Sequence, residues 1–198
     1  GGLREGLCWS LADALLAPQA SALTAVREFA GRCRYEKGHS EHVAGLAVSL
    51  LTQLADQRAV REALRHEPRA AELLEAAAVL HDVGTVVGYA KHHKHSRDII
   101  LCADIQHLSR RDLLVLANLA RYHRRVGPKV GHRAFAALSP ADQRLVTVLA
   151  GVLRVADGLD RSHEALVDSA TVEVKRGGVV VSARAAGTGG ISRELRAA

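Results

Sequence analysis

The chain has 198 residues, 48 % apolar and 24 % charged, which is enough to bury one sizeable core. Aromatics make up only 3 % (Trp9, Phe29, Tyr35, Tyr89, Tyr122 and Phe135), so the core must be Ala, Leu and Val, and the exposed aromatic row of a single-strand nucleic-acid platform is excluded. The net charge of +6 is uneven: residues 91–133 hold ten basic and three acidic side chains and six of the eleven histidines, a local excess that points to a polyanionic ligand such as a phosphate ester, polyphosphate, nucleic acid or lipid headgroup.

Along the chain, residues 9–65 read as helical, with Pro18 suited to the first turn of a helix running to about Tyr35. Gly38 and Ser40 punctuate the next start, and Val43, Leu46, Ala47, Leu50, Leu51 and Leu54 then follow helical spacing. A break falls at Arg65–Pro68. Ala70–Leu80 follows, with Leu73, Leu74, Ala77 and Leu80 on one face. Gly84 and Gly88 frame a loop. A helix is expected to begin at His95 and to carry Ile99 and Ile100, and another spans Leu113–Tyr122. Residues 125–138 read as a loop. Ser139-Pro140-Ala141-Asp142 is a helix start, with Ser at the cap, Pro at the first position and an acid in the first turn, and the helix it opens runs to about Asp157. From Val167 the period changes to two: Thr171–Lys175, a Gly177-Gly178 turn and Val179–Ala183 form a hairpin, with a third short strand near Ile191–Leu195. The expected fold is mainly α, with a small C-terminal β-hairpin or meander. Cys8, Cys33 and Cys102 form no CxxC pair and read as buried small hydrophobes of a cytoplasmic protein. Neither a membrane span nor a secretory signal is indicated.

The chemistry centres on His81-Asp82 at the end of an apolar helix. A carboxylate buried without a partner costs several kcal/mol, but at a helix end both side chains can turn to one metal ion. His39 opens one helix and Asp157 lies late on another. Two imidazoles with carboxylates suit manganese, magnesium, iron or zinc. His66, His107, His132 and His163 read as surface histidines, and His92 and His93 as loop or phosphate-facing residues.

The order His39, His81-Asp82, Asp157 resembles the HD superfamily of metal-dependent phosphohydrolases. More narrowly, Leu80-His81-Asp82-Val83-Gly84, His92-His93-Lys94-His95-Ser96, Ala120-Arg121-Tyr122-His123-Arg124-Arg125 and Leu153–Asp160 resemble the C-terminal helical domain of the exopolyphosphatase / guanosine pentaphosphate phosphohydrolase family. That resemblance implies residues 1–8 as a remnant of a preceding actin-like domain, 9–166 as an HD-type helical domain and 167–198 as a β appendage. It implies His39, His81, Asp82 and Asp157 as ligands of one divalent metal. His95 and His123 would hold a second, with Asp82 shared between the two. Lys94, Arg121, Arg124 and Arg125 would meet the phosphates, and Asp82, Lys94 and Arg124 would be catalytic. The implied activity is hydrolysis of a phosphoester or phosphoanhydride such as polyphosphate or a guanosine polyphosphate. The alternative is a non-catalytic polyphosphate-binding and dimerisation module. The family's actin-like phosphatase region is absent from this sequence. A membrane partner is not expected, and nucleic acid is disfavoured.

Overall fold

The computed structural model describes residues 21–176 and 178–185. Eight helices precede a two-stranded antiparallel sheet: α1 (Ala22–Arg32), α2 (Lys37–Leu54), α3 (Arg58–Leu64), α4 (Ala70–Leu80), a 3₁₀ turn (Val83–Val86), α5 (His92–Cys102), α6 (Arg110–Tyr122), α7 (Arg133–Ala136), α8 (Pro140–Leu159), β1 (Val167–Lys175) and β2 (Gly178–Ala185). The fold is therefore mainly α with a small C-terminal hairpin, as the sequence pattern implies. The expected third strand, Pro18, Cys8 and residues 1–8 lie outside the described residues.

The centre of the core is α4. Its sequence Ala70-Ala71-Glu72-Leu73-Leu74-Glu75-Ala76-Ala77-Ala78-Val79-Leu80 is apolar almost all round, and such a helix can be stable only when surrounded. It packs against α1, α2, α6 and α8. Small Ala side chains let these axes approach closely, which is how a core with few aromatics fills its volume. Helix ends are fixed by the expected chemistry. Ser139 Oγ accepts from the Asp142 amide at 3.1 Å with Pro140 in the first turn of α8, and Ser109 and Asp112 form a reciprocal capping box on α6. Arg111 then ties α6 to Glu67 and to Asp142.

The hairpin rests on α2. Val167 and Ala170 are buried, and the Gln53 carboxamide donates to Ala170 O at 2.9 Å and accepts from Val172 N at 3.0 Å, satisfying two backbone groups of β1. Val172 pairs with Val181 and Val174 with Val179. These four valines roof an apolar cleft of about 560 Å³ over α2, α3 and α8.

Three local expectations are corrected. α5 starts at His92 rather than His95, because Lys91 takes the left-handed conformation (φ 62°) and turns the chain into the helix one turn earlier. The 125–138 segment is not all loop but contains α7. Cys102 is exposed at the end of α5 instead of buried.

One glycine decides how α5 meets the core. The Gly84 amide donates to Ser96 Oγ at 2.9 Å. A β-carbon at Gly84 would fall inside contact distance of His92 O and Ser96 N, both backbone atoms that cannot turn aside. Gly84→Ala is therefore expected to destabilise the protein by about 3 kcal/mol, the upper end of overpacking costs, read as a lower urea midpoint at unchanged slope. An unaltered midpoint would show that this contact is not required.

Candidate metal centre

Helix ends from five different elements meet at one place. The start of α2 brings His39, the end of α4 brings His81 and Asp82, the start of α5 brings His92, the end of α6 brings His123, and the end of α8 brings Asp157 and Asp160. His39, His81, His92, His123 and Asp160 are each at most 2 % exposed. So many polar groups at the heart of an Ala/Leu core must satisfy one another or a bound ion.

The histidines are held so that one ring nitrogen of each is committed and the other is presented. His81 Nδ1 donates to Ala78 O at 2.6 Å, His92 Nδ1 to Tyr89 O at 3.0 Å and His123 Nδ1 to Ala120 O at 2.8 Å. A carbonyl can only accept, so each of these rings carries its proton on Nδ1. His39 Nδ1 is engaged by the Asp160 carboxylate at 2.9 Å. The four Nε2 atoms are left facing inward: His39 and His81 at 3.2 Å, His92 and His123 at 3.4 Å. Arg124 Nη1 donates to His92 Nε2 at 3.1 Å, so a positive group is already drawn to that lone pair.

Between the pairs stands Asp82. Its Oδ1 lies 3.1 Å from His92 Nε2, 3.5 Å from His123 Nε2 and 3.7 Å from His81 Nε2, yet it is buried and receives no hydrogen bond. Asp157 Oδ1 sits 3.5 Å from His81 Nε2 and 3.6 Å from His39 Nε2. His39, His81 and Asp82 form one group with metal-ligand spacing, and Asp82, His92 and His123 form another. Ring nitrogens facing one another at hydrogen-bond distance around a carboxylate oxygen that receives no hydrogen bond are an arrangement a bound cation can satisfy, and a mixed nitrogen–oxygen donor set fits a first-row divalent ion.

The electrostatics follow from the crowding. Burial favours the neutral acid of Asp82, but His81, His92 and His123 outweigh it and hold the carboxyl well below the ordinary range. Asp157 is lowered in the same way, burial being overcome by His39 and His81. Burial opposes a charge on His39, yet Asp157 and Asp160 raise it to about 9. Burial is likewise outweighed at His81, which Asp82 and Asp157 raise. Burial and the neighbouring His81 push His123 down to about 3.

A cleft of about 280 Å³ opens beside the cluster, bordered by His123, Asp157, Arg124, Arg125, Arg154 and Arg161. The structure thus brings together His39, His81, Asp82, Asp157 and His123, with Arg124 and Arg125 at the mouth. His95 is a correction. Because α5 begins at His92, it is His92 that reaches Asp82 and His123, while His95 lies one turn further on with its Cβ against Gly84. Arg121 borders a different groove, between α5, α6 and the 131–137 segment on the opposite face of α6 from His123. Lys94 is half-buried on α5 and does not border the cleft.

Two residues escaped the sequence reading. Asp160 stands three residues after Asp157, a spacing that shares a helix face, and it anchors His39. His163, read as a surface residue, stacks on the His39 ring at 3.7 Å between centroids and 3° between planes, with its Nδ1 2.7 Å from Glu36 Oε2. Its position outside the helix, at φ 62°, left no periodic signal.

Comparison with known proteins gives a family profile described as Ppx/GppA phosphatase, domain III, which matches residues 23–179. The chain is also 29 % identical over 124 residues to a guanosine-5'-triphosphate,3'-diphosphate pyrophosphatase of Aliivibrio fischeri, 32 % identical over the same length to one of Vibrio atlanticus and 31 % to one of Vibrio cholerae. Each alignment takes in 63 % of this chain and 24 % of the relative, so the chain spans about a quarter of the length of the curated relatives it matches.

Proposed function

From the chain's membership of the Ppx/GppA phosphatase domain III family, we propose that the cluster is an HD-type metal centre and that the protein is a metal-dependent phosphohydrolase acting on a phosphoester or phosphoanhydride. Polyphosphate and a guanosine polyphosphate are the substrate classes in view, the second because the relatives are named for one. The observation that carries this reading is the set of four inward Nε2 atoms around a buried Asp82 Oδ1 that no donor satisfies.

His39, His81, Asp82 and Asp157 would hold one divalent ion, and Asp82, His92 and His123 a second. A bound divalent ion supplies Lewis acidity to a phosphoryl oxygen and to the attacking water. The chain's own residues do the rest. Arg124, Arg125, Arg154 and Arg161 line the cleft with guanidinium groups that orient the phosphates and offset the charge that grows on their oxygens. The backbone carbonyls of Ala78, Tyr89 and Ala120 and the Asp160 carboxylate keep the imidazoles in one tautomer and one orientation.

The direct test is a manganese titration of chelator-treated protein, followed by electron paramagnetic resonance and elemental analysis, with phosphate release from tripolyphosphate and guanosine pentaphosphate measured on the same samples. Tight uptake of one or two ions with metal-dependent release is expected. Protein that takes up no ion and turns over neither compound would overturn the reading. It would leave the non-catalytic polyphosphate-binding and dimerisation module, whose ligand affinity should fall steeply with salt.

A further inference from the structure

The two halves of the cluster differ in what already stands at them. In the half formed by His39, His81 and Asp82, no arginine or lysine of the described residues reaches a ring nitrogen. In the half formed by Asp82, His92 and His123, Arg124 Nη1 lies 3.1 Å from His92 Nε2. A guanidinium carries donors and no acceptor, so Arg124 donates and His92 Nε2 accepts. The other nitrogen of that ring, Nδ1, donates to Tyr89 O at 3.0 Å. The ring is therefore fixed as one tautomer with a single lone pair, at Nε2, and Arg124 occupies it. The same Nε2 stands 3.1 Å from Asp82 Oδ1, a carboxylate oxygen that receives no hydrogen bond.

Arg124 also belongs to the cleft beside the cluster. It borders that cleft of about 280 Å³ together with Arg125, Arg154 and Arg161. Among the described residues no carboxylate lies within ion-pair distance of any of these four, whereas Arg111 meets both Glu67 and Asp142. The cleft thus draws anions. An oxyanion is a stronger partner for a guanidinium than a neutral imidazole is, because both sides of the hydrogen bond are then charged. Arg124 has two competing partners, the His92 ring nitrogen and an anion in the cleft.

We propose that Arg124 holds the place of the second ion on His92, and that a phosphate entering the cleft draws Arg124 away so that this half of the cluster loads together with its anion. The inference rests on the metal reading of the cluster. One lone pair cannot serve a guanidinium and a metal at once, so uptake at Asp82, His92 and His123 requires Arg124 to leave. Its charge then needs a new partner, which the phosphate supplies. The coupling is reciprocal: phosphate strengthens the second ion by the factor by which that ion strengthens phosphate. The half built on His39 and His81 has no tethered competitor and takes its ion without phosphate. Arg124 thereby makes the cluster a one-ion centre at rest and a two-ion centre only when its anion is bound.

The test is manganese titration of the full chain after chelator treatment, followed by paramagnetic resonance, in sodium chloride and in inorganic phosphate of equal ionic strength. In chloride one ion should bind tightly and the second at least about tenfold more weakly, and phosphate should strengthen the second by about tenfold or more while leaving the first unchanged. Arg124→Gln, with folding checked by circular dichroism, should bind the second ion at least about tenfold more tightly than the parent in chloride and lose most of the phosphate dependence. Arg154→Gln removes the same charge from the cleft without touching a ring nitrogen, and its second ion should stay weak. In metal-free protein the nitrogen resonance of His92 Nε2 should move in Arg124→Gln and not in Arg154→Gln. Equal and tight binding of both ions by the parent in chloride, an unchanged second ion in Arg124→Gln, or an equal gain in Arg154→Gln would each overturn the proposal. One ion under every condition would overturn it and leave a single-ion centre, whereas no ion under any condition would overturn the metal reading itself.

Discussion

Asp82→Asn abolishes metal uptake at both halves of the cluster and hydrolysis with it. The substitution is nearly isosteric, so the fold survives, but the one atom that stands within reach of His81, His92 and His123 loses its negative charge. An amide presents either a carbonyl with far weaker affinity for a cation or an NH₂ that competes for the lone pairs a metal needs. Loss of a group that merely orients a ligand costs about 10–100-fold in affinity or activity, and a shared ligand must cost more. Metal affinity should fall at least about a hundredfold on that scale, with hydrolysis falling alongside. The measurements are manganese binding by paramagnetic resonance and phosphate release, with near-ultraviolet circular dichroism as the check on folding. Retained metal binding and turnover would remove Asp82 from the site. Retained turnover without metal would refute the metal-dependent mechanism altogether.

Asp160→Ala should be the most damaging single change to stability. Asp160 is fully buried, faces His39 Nδ1 at 2.9 Å and accepts from the Ala165 amide at 2.8 Å. Truncation strands the buried His39 Nδ1–H without its acceptor, and it frees a chain turn in which Ala165 takes a left-handed backbone at φ 51°. Breaking a buried charged pair costs about 3–5 kcal/mol, which at about 2–4 °C per kcal/mol for a chain of this size lowers Tm by about 10 °C. Asp160→Asn loses less. Where the carboxylate offers Oδ2 to His39 Nδ1–H and Oδ1 to Ala165 N–H, the amide keeps one acceptor, so this variant should unfold between the Ala variant and the parent, with metal binding weakened by about 10–100-fold through the less basic imidazole. Equal melting of the parent and the Ala variant would show that this pair does not support the fold.

The legible part of the site was the part written in helix-terminal chemistry. His81-Asp82 ends an all-apolar helix that can only be central, so the pair had to lie at the core's edge with partners. Ser139-Pro140 dated the start of α8 and thereby placed Asp157 near its end. His39 was visible because the apolar repeat of α2 begins just after it. His92 was not, since the start of α5 depends on a left-handed Lys91, a conformation with no side-chain signature. A shift of one turn in that start exchanged His92 for His95. Arg121 and Arg124 look alike in a basic run, yet their angular separation on α6 sends one to the groove and the other to the metal-side cleft.

Length, composition and periodicity by themselves determined that this protein is a mainly helical, alanine- and leucine-cored domain with a closing hairpin, because burial of apolar stripes leaves few other arrangements. They also marked which His and Asp residues stand at helix ends. Only the tertiary structure decided which ring nitrogen each histidine presents, that Asp82 Oδ1 stands among three histidines without receiving a hydrogen bond, and that the excess positive charge divides between two faces of α6. Those facts depend on distances between residues as far apart in sequence as His39 and Asp160. Such distances follow from how the helices pack, and a local pattern in the chain does not carry them.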